Sequence, residues 1–246
     1  MGQLDGKVAL ITGAGSGIAK SAVRIFVREG AKVVAADVSG SEQQTALDIG
    51  DGVVPAHCDV TNEGDVEAAV RAAIDNFGRL DAVLNVPGIA AGAMITDVTK
   101  DHYDSILDVD LRGVLHGMKH GLRAMLNART AGSIINVSSA GGLGGAPRTS
   151  VYSAAKAGVI ALTKAGSIEY GEQGIRVNAI CPGFVKTEVM GARIDQIPGT
   201  AERSALGRIG APHEVAELAA FLASDRASFI TGAIIPVDGG WTAKLA

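Results

Sequence analysis

The stretch "KVALITGAGSGIA", Lys7 to Ala19, runs a β-branched and apolar strand into three glycines, at 13, 15 and 17, and straight on into residues of helical period. Glycine permits the tight turn and lets backbone approach a pyrophosphate, while the exposed N–H groups and dipole of a helix N-terminus favour its negative charge. Taken alone, such a turn can also be a plain strand-to-helix connection. The next strand supplies context: "KVVAADV", Lys32 to Val38, places Asp37 twenty residues after Gly17. A carboxylate at that offset can accept from both hydroxyls of an adenosine ribose and repels a 2'-phosphate. Neither Ala14, Ser16 nor Val38 brings a positive charge for a 2'-phosphate, so the expected cofactor is NAD.

Outward from this unit the same alternation continues. Further strand candidates are Val53 to Val60, Leu80 to Val86, Gly132 to Ser139, Ile175 to Cys181 and Ala233 to Gly239. Helical period appears near Gly17 to Glu29, Asn62 to Phe77, Thr99 to Leu126, Tyr152 to Glu172 and Pro212 to Ala223. Near-continuous apolar strands separated by helices predict an α/β fold whose seven-stranded, mainly parallel sheet is covered on both faces. With no repeat, low-complexity tract or linker, residues 1–246 are expected to form one domain. In such a fold chemistry gathers at the carboxyl ends of the strands.

A net charge of -4 and no cluster of Lys and Arg argue against nucleic acid as a partner. No segment approaches a membrane span or reads as a cleavable signal, and Gly6 stands where a myristoylation signal wants Ser or Thr. Cys58 and Cys181 lie in apolar, strand-like segments and are expected to be buried free thiols. A cytoplasmic protein is expected.

"SVYSAAKAGVIALTKAG", Ser150 to Gly166, carries Tyr152 and Lys156 four residues apart on a helix otherwise small and apolar. That step leaves both side chains on one face. Tyr152 can pack in a core with Lys156 snorkelling past it, or an ammonium can be parked beside a phenol. A free tyrosine titrates near pH ~10. An ammonium at ~4 Å and an effective dielectric of ~20 stabilises a phenolate by ~4 kcal/mol before desolvation, enough to bring proton exchange with an alcohol toward neutrality.

With these motifs in order, from "KVALITGAGSGI" through "CDVT", "VSSAGG", "YSAAKAG" and "IRVNAICPGFVKT" to "ITGAIIPVDGG", the chain resembles the short-chain dehydrogenase/reductase family over essentially its whole length. The resemblance implies a doubly wound Rossmann-type, three-layer fold and hydride transfer between a nicotinamide and a small-molecule secondary alcohol or ketone. It implies catalytic roles for Ser139, Tyr152, Lys156 and the asparagine position held here by Asp110, with Tyr152 and Lys156 also bordering the cofactor, Lys156 at the nicotinamide ribose. Ser139 is implied rather than Ser138 because it lies thirteen residues before the tyrosine. It further implies that Gly13, Ser16, Gly17 and Ile18 line the pyrophosphate, Asp37 the adenosine ribose, and Asp59 with Val60 the adenine edge. Asn85 and Gly88 would border the nicotinamide ribose, and Val185 and Thr187 would hold the carboxamide. A homo-oligomer, a tetramer, is implied too. The helices near Thr99 to Leu126 and Tyr152 to Glu172 carry more Ala, Leu and Gly than one buried stripe requires.

The chain departs from the family pattern at three places. The last loop glycine is Ala19, the usual "NNAG" reads "NVPG" at Asn85 to Gly88, and the asparagine of "VNLxG" is Asp110. Pro87 removes a backbone N–H. An ionised Asp110 would disfavour a phenolate on Tyr152, whereas a protonated or screened one is a near-isosteric replacement.

The segment near 188–210, with Met190, Ile194, Ile197 and Leu206 among charges and glycines, reads either as a substrate lid or as a polar surface excursion. His116 and His120 lack a third metal ligand and are expected at a helix surface or an interface, so no metal is expected. "SAAK", Ser153 to Lys156, fits the S-x-x-K of penicillin-recognising hydrolases, but the companion S-D-N and K-T-G are absent. The competing functional readings are an NADP-dependent 3-oxoacyl-thioester reductase and an NAD-binding module impaired at Asp110.

Overall fold

The computed structural model describes residues 2–89, 91–188, 190, 194 and 199–244. Seven strands form one sheet: β1 (Val8–Thr12), β2 (Lys32–Asp37), β3 (Val53–His57), β4 (Ala82–Asn85), β5 (Gly132–Val137), β6 (Ile175–Pro182) and β7 (Ile234–Val237). Their order is β3-β2-β1-β4-β5-β6-β7, and every neighbouring pair is parallel, where a mainly parallel sheet was expected. The connections leave the sheet in one direction from β1 to β3 and in the other from β4 to β7. The reversal between β1 and β4 opens a crevice at the strand ends, where Thr12 lies opposite Asn85 and Asn85 opposite Asn136.

Helices α1 (Gly17–Arg28), α2 (Ser41–Ile49), α3 (Glu63–Phe77), α4 (Lys100–Leu107), α5 (Gly113–Ala128), α6 (Ser150–Tyr170) and α7 (Pro212–Ala223) complete the three layers. On one face, Val23 and Phe26 of α1 and Val215 and Ala219 of α7 pack on Ile11, Val33, Leu84 and Ile135. On the other, Val66 and Val70 of α3, Val114 and Met118 of α5 and Val159 of α6 pack on Leu10, Val34, Val83 and Ile134. Both faces of each central strand are therefore covered, which is why the strands read as unbroken apolar runs. This is the doubly wound Rossmann-type α/β fold. Ala19 is fully packed in the α1 layer, so its methyl fits where the family's glycine would stand.

The structure adds two features that apolar period did not predict. Helix α2 buries Thr45 and Glu42 instead of an apolar stripe, so it carries no amphipathic signal. The expected single helix from Thr99 to Leu126 is α4 and α5 joined by a π-helical turn, Asp108–Arg112. A π turn inserts one residue into the helical ladder and recurs at functional sites. Here it carries Asp110 into the interior.

Candidate active site

The glycine loop leaves β1 with Gly13 at φ 74° and enters α1 with Gly17 at φ 54°, both left-handed conformations that favour glycine. Thr45 Oγ holds the loop from outside by donating to the Ala14 carbonyl at 3.1 Å. Space at the loop is as restricted as its backbone: a Cβ on Gly13 would stand 2.9 Å from the Val86 carbonyl oxygen, and one on Gly15 would stand 2.9 Å from Asp37 Cγ. Ser16, extended at φ -155°, caps α1 without using its hydroxyl in the cap, and Ile18 follows in the first turn. The loop fits the pyrophosphate of a dinucleotide, because its glycines leave no side chain of their own in the cradle and the Gly17 N–H already takes up an anion, the carboxylate oxygen Glu188 Oε2, at 2.7 Å.

Asp37 terminates β2 with its carboxylate accepting from Gly15 N–H at 2.9 Å and Ser39 N–H at 2.8 Å. The strand end and the glycine loop are thus one bonded unit. Asp59 accepts from the Thr61 N–H and hydroxyl at 2.9 and 2.8 Å, which shapes the turn after β3 and leaves Val60 facing α5. The Val60 carbonyl accepts from His116 Nδ1 at 2.9 Å. His116 and His120 are therefore not at the helix surface: both are buried against α3, and His120 Nε2 lies 3.0 Å from Glu63 Oε1. Glycines let α5 approach the sheet closely: a Cβ on Gly113 would meet Val60 Cγ2 at 2.7 Å and one on Gly121 would meet Val83 Cγ2 at 2.6 Å. Lys119 shares the same carboxylate, and its hydrogen bond, ahead of the one from His120, holds the Glu63 carboxyl down at about 2.

At the ends of β4 and β5 lie the remaining groups. Lys156 is only 3 % exposed, and its Nζ donates to the carbonyls of Pro87 at 3.1 Å and Val137 at 3.2 Å. The same ammonium stands 5.8 Å from the centre of the half-buried Tyr152 ring. Ser139 and Tyr152 converge at Gly141, where a Cβ would lie 3.4 Å from Ser139 Oγ and 3.5 Å from Tyr152 Cε1. Ser138 is spent elsewhere: it is buried and donates to the Lys156 carbonyl at 2.8 Å. Pro87, which cannot donate, contributes one of the two acceptors that Lys156 uses.

Asn85 is fully buried, with Nδ2 donating to Asn136 Oδ1 at 2.9 Å and its side chain against Gly117 of α5. The Asn85 side chain is thus committed to the interior. Gly88 lies between Lys156 and Asp110, since a Cβ there would be 3.5 Å from Lys156 Nζ and 3.7 Å from Asp110 Oδ1. Asp110 is fully buried. Its Oδ1 accepts from Ile89 N–H at 2.7 Å, while Oδ2 has no hydrogen-bond partner among the described residues. Burial pushes the Asp110 carboxyl above the ordinary carboxylate range, against the opposing pull of the Lys156 charge and the Ile89 N–H.

After β6, Val185 is buried and bridges to Gly210, with Lys186 N–H donating to the Gly210 carbonyl at 2.9 Å. Thr187 reaches the glycine loop: its Cβ lies 3.1 Å from the place a Gly17 Cβ would take. Of the segment 188–210, residues 189, 191–193 and 195–198, Ile197 among them, lie outside the described residues. Ile194 is buried and Leu206 exposed, and the end of the segment is tied back where Leu206 N–H donates to the Gly239 carbonyl at 3.1 Å. A cavity of about 250 Å³ lies behind it, lined in part by Arg203 and the stacked rings of Phe184 and Trp241. Neither Ser139, Tyr152 nor Lys156 lines that cavity. Among the described residues no group of three or more His, Cys, Asp or Glu could hold a metal ion, and no helix is long and apolar enough to cross a membrane. Cys58 and Cys181 are buried and unpaired.

Comparison with known proteins finds similar chains over nearly the whole length. A family model described as enoyl-(acyl carrier protein) reductase matches residues 13–242. The chain is 38 % identical to the 3-oxoacyl-(acyl-carrier-protein) reductase FabG of Thermotoga maritima, over 97 % of this chain and 98 % of that one. It is 40 % identical to the meso-2,3-butanediol dehydrogenase of Serratia marcescens, over 98 % and 97 % respectively. It is 42 % identical to the 3-alpha-(or 20-beta)-hydroxysteroid dehydrogenase of Mycobacterium bovis, over 100 % and 93 %.

Proposed function

The chain belongs to the short-chain dehydrogenase/reductase family, and we propose that it is an NAD-preferring oxidoreductase of secondary alcohols and ketones with Tyr152 as general acid and base. The observation that carries this reading is the buried Lys156, held by two carbonyls with its charge 5.8 Å from the Tyr152 ring. A cation fixed there is placed to offset negative charge that develops on the Tyr152 side as a proton moves. Tyr152 then takes the proton of the alcohol during oxidation and returns it to the carbonyl during reduction. Ser139 Oγ, directed at the same space, donates to the substrate oxygen and orients it.

When bound, the nicotinamide supplies the hydride chemistry. Gly13, Ser16, Gly17 and Ile18 would hold its pyrophosphate and Asp37 the adenosine ribose, with Asp59 and Val60 at the adenine edge. The backbones of Asn85 and Gly88 would border the nicotinamide ribose, with Val185 and Thr187 at the carboxamide. Preference for NAD rests on the Asp37 carboxylate, which repels a 2'-phosphate. The two buried, unpaired cysteines suit a reducing cytoplasm.

A second reading draws on the Thermotoga relative: an NADP-dependent reductase of 3-oxoacyl thioesters. Asp37 speaks against it. Initial rates with NAD and NADP against cyclic, steroid, aryl and sugar alcohols, and in reverse against a 3-oxoacyl thioester, separate the two. The expected result is NAD reduction by a secondary alcohol, with Tyr152→Phe lowering kcat by about 10²–10⁴. Equal efficiency with both cofactors, or full activity in Tyr152→Phe, would overturn the corresponding part.

A further inference from the structure

Gly17 N–H is the first amide of α1, the donor that a helix N-terminus turns toward an anion. Its partner here comes from 171 residues away: Glu188 Oε2, at 2.7 Å. The contact belongs to an anchored strap. Val185 is buried and bridged to Gly210, and Thr187 Cβ and Cγ2 both lie 3.1 Å from the position a Gly17 Cβ would occupy. Lys20 and Arg24 on the next turns of α1 add positive charge, and both also face Asp48 across from α2. The Glu188 carboxyl is held below its ordinary range, first by its own backbone N–H and then by Gly17. It therefore acts as an anion at neutral pH.

A carboxylate hydrogen-bonded to this amide uses a donor that a pyrophosphate oxygen needs, and two anions cannot share one N–H at 2.7 Å. We infer that Glu188 is an internal competitor for the cofactor's pyrophosphate: it satisfies the α1 amide in the free protein, must withdraw before a dinucleotide seats, and thereby sets cofactor affinity. This rests on the dinucleotide reading given above. The cost of the arrangement is weaker binding, and its gain is a glycine loop with its first helical donor satisfied in the free enzyme. A tethered carboxylate that yields to a diphosphate also favours release of the cofactor after turnover, because the competitor returns from the same strap.

The test is calorimetric titration of NADH, and separately of inorganic pyrophosphate and of adenosine, into the wild type, Glu188→Gln and Glu188→Ala. Removing one competing charge-assisted hydrogen bond is expected to tighten NADH by about tenfold in Glu188→Ala and by less in Glu188→Gln, whose neutral amide still accepts. Pyrophosphate should follow NADH, and adenosine, which lacks phosphate, should bind all three proteins alike. In the same proteins without ligand the alanine variant should melt lower, while its gain in Tm on adding NADH should be larger. Unchanged or weaker NADH binding in both variants, with NADH still binding the wild type, overturns the competitor role and leaves the dinucleotide reading standing. Failure of NADH to bind any of the three proteins overturns both.

Discussion

Ile89 donates its backbone N–H to Asp110 Oδ1 at 2.7 Å, and so the loop after β4 is fastened to the π turn between α4 and α5. Asparagine at the same position could accept this bond equally well, so the bond alone does not explain the aspartate. What distinguishes the aspartate is its ionisation. Burial raises the Asp110 carboxyl above its value of 3.8, so the folded protein binds this proton more tightly than the unfolded chain. Stability is then lost as pH rises from the ordinary carboxylate range through the raised folded value, and below that range the penalty vanishes. Asp110→Asn cannot ionise. Its Tm should therefore gain on the wild type as pH rises from 4 to 9, by about 2–4 °C for each kcal/mol of penalty. An unpaired amide at Oδ2 would shift all Tm values together without changing that slope. Calorimetry across this range checks it, and a pH-independent gap would contradict it.

The same charge bears on rate. Asp110 and Lys156 flank Gly88, so an ionised Asp110 would set a negative charge beside the ammonium proposed to act on Tyr152. Asp110→Asn should keep or improve alcohol oxidation near neutrality and move the rising limb of the pH–rate profile toward acid. Initial rates from pH 6 to 10 at saturating NAD measure the shift. An unmoved limb would mean that burial keeps Asp110 protonated throughout and that its charge plays no part in the reaction.

Asp37→Ala removes the acceptor of Gly15 N–H and Ser39 N–H together with the charge proposed to repel a 2'-phosphate. Efficiency with NAD should fall by about tenfold or more, while efficiency with NADP should hold or rise, so the ratio of the two narrows. The measurement is kcat/KM for both cofactors with one alcohol. A ratio that stays constant would remove Asp37 from cofactor selection.

The parts of the molecule legible in sequence are those where one residue type answers one local demand. Gly13, Gly15 and Gly17 answer the turn, Asp37 ends a strand, and Tyr152 with Lys156 shares a helix face; each can be read within a few neighbours. Helix α2 was illegible because its buried side is Thr45 and Glu42. The π turn is not legible in sequence because one inserted residue leaves no compositional mark, although Asp110, where the family pattern has asparagine, lies within it. His116 and His120 read as helix-surface or interface residues because helical period shows which residues share a face but not which face meets α3. Asn85 had a local motif but turns its side chain inward, toward Asn136. Glu188 had no local signal at all: its meaning lies in Gly17, on the far side of the chain.

Assembly into a tetramer predicts a use for apolar side chains that the single chain leaves in water. Leu115 on α5 and Ile168 on α6 are 44 % and 81 % exposed. Light scattering across micromolar concentrations should give the mass of four chains. Ile168→Glu, which puts a charge on the outer face of α6, should reduce that mass without lowering helix content. A monomer mass for the wild type would exclude the assembly, and a four-chain mass in the variant would move the interface away from α6.

Lys156 offers the sharpest check on the proposed chemistry, because its structural and electrostatic roles respond differently to pH. Its Nζ bonds to the Pro87 and Val137 carbonyls tie β4 and β5 to α6, and Lys156→Gln retains donors for both while losing the charge. If the lysine only holds the loops in place, Lys156→Gln should lose activity by the same factor at every pH. If its charge favours the phenolate, the phenol must ionise unaided in the variant, and free phenols titrate near pH ~10. We expect kcat for oxidation to fall about 10²–10³ at pH 7.5 and the deficit to narrow steadily as pH approaches 10, a dependence that loss of packing cannot produce. Lys156→Arg, which keeps the charge but presents a bulky planar fork to two carbonyls set for an ammonium, should lose activity without that recovery. Profiles of kcat against pH for both variants, with circular dichroism to show that each is folded, decide between the two roles.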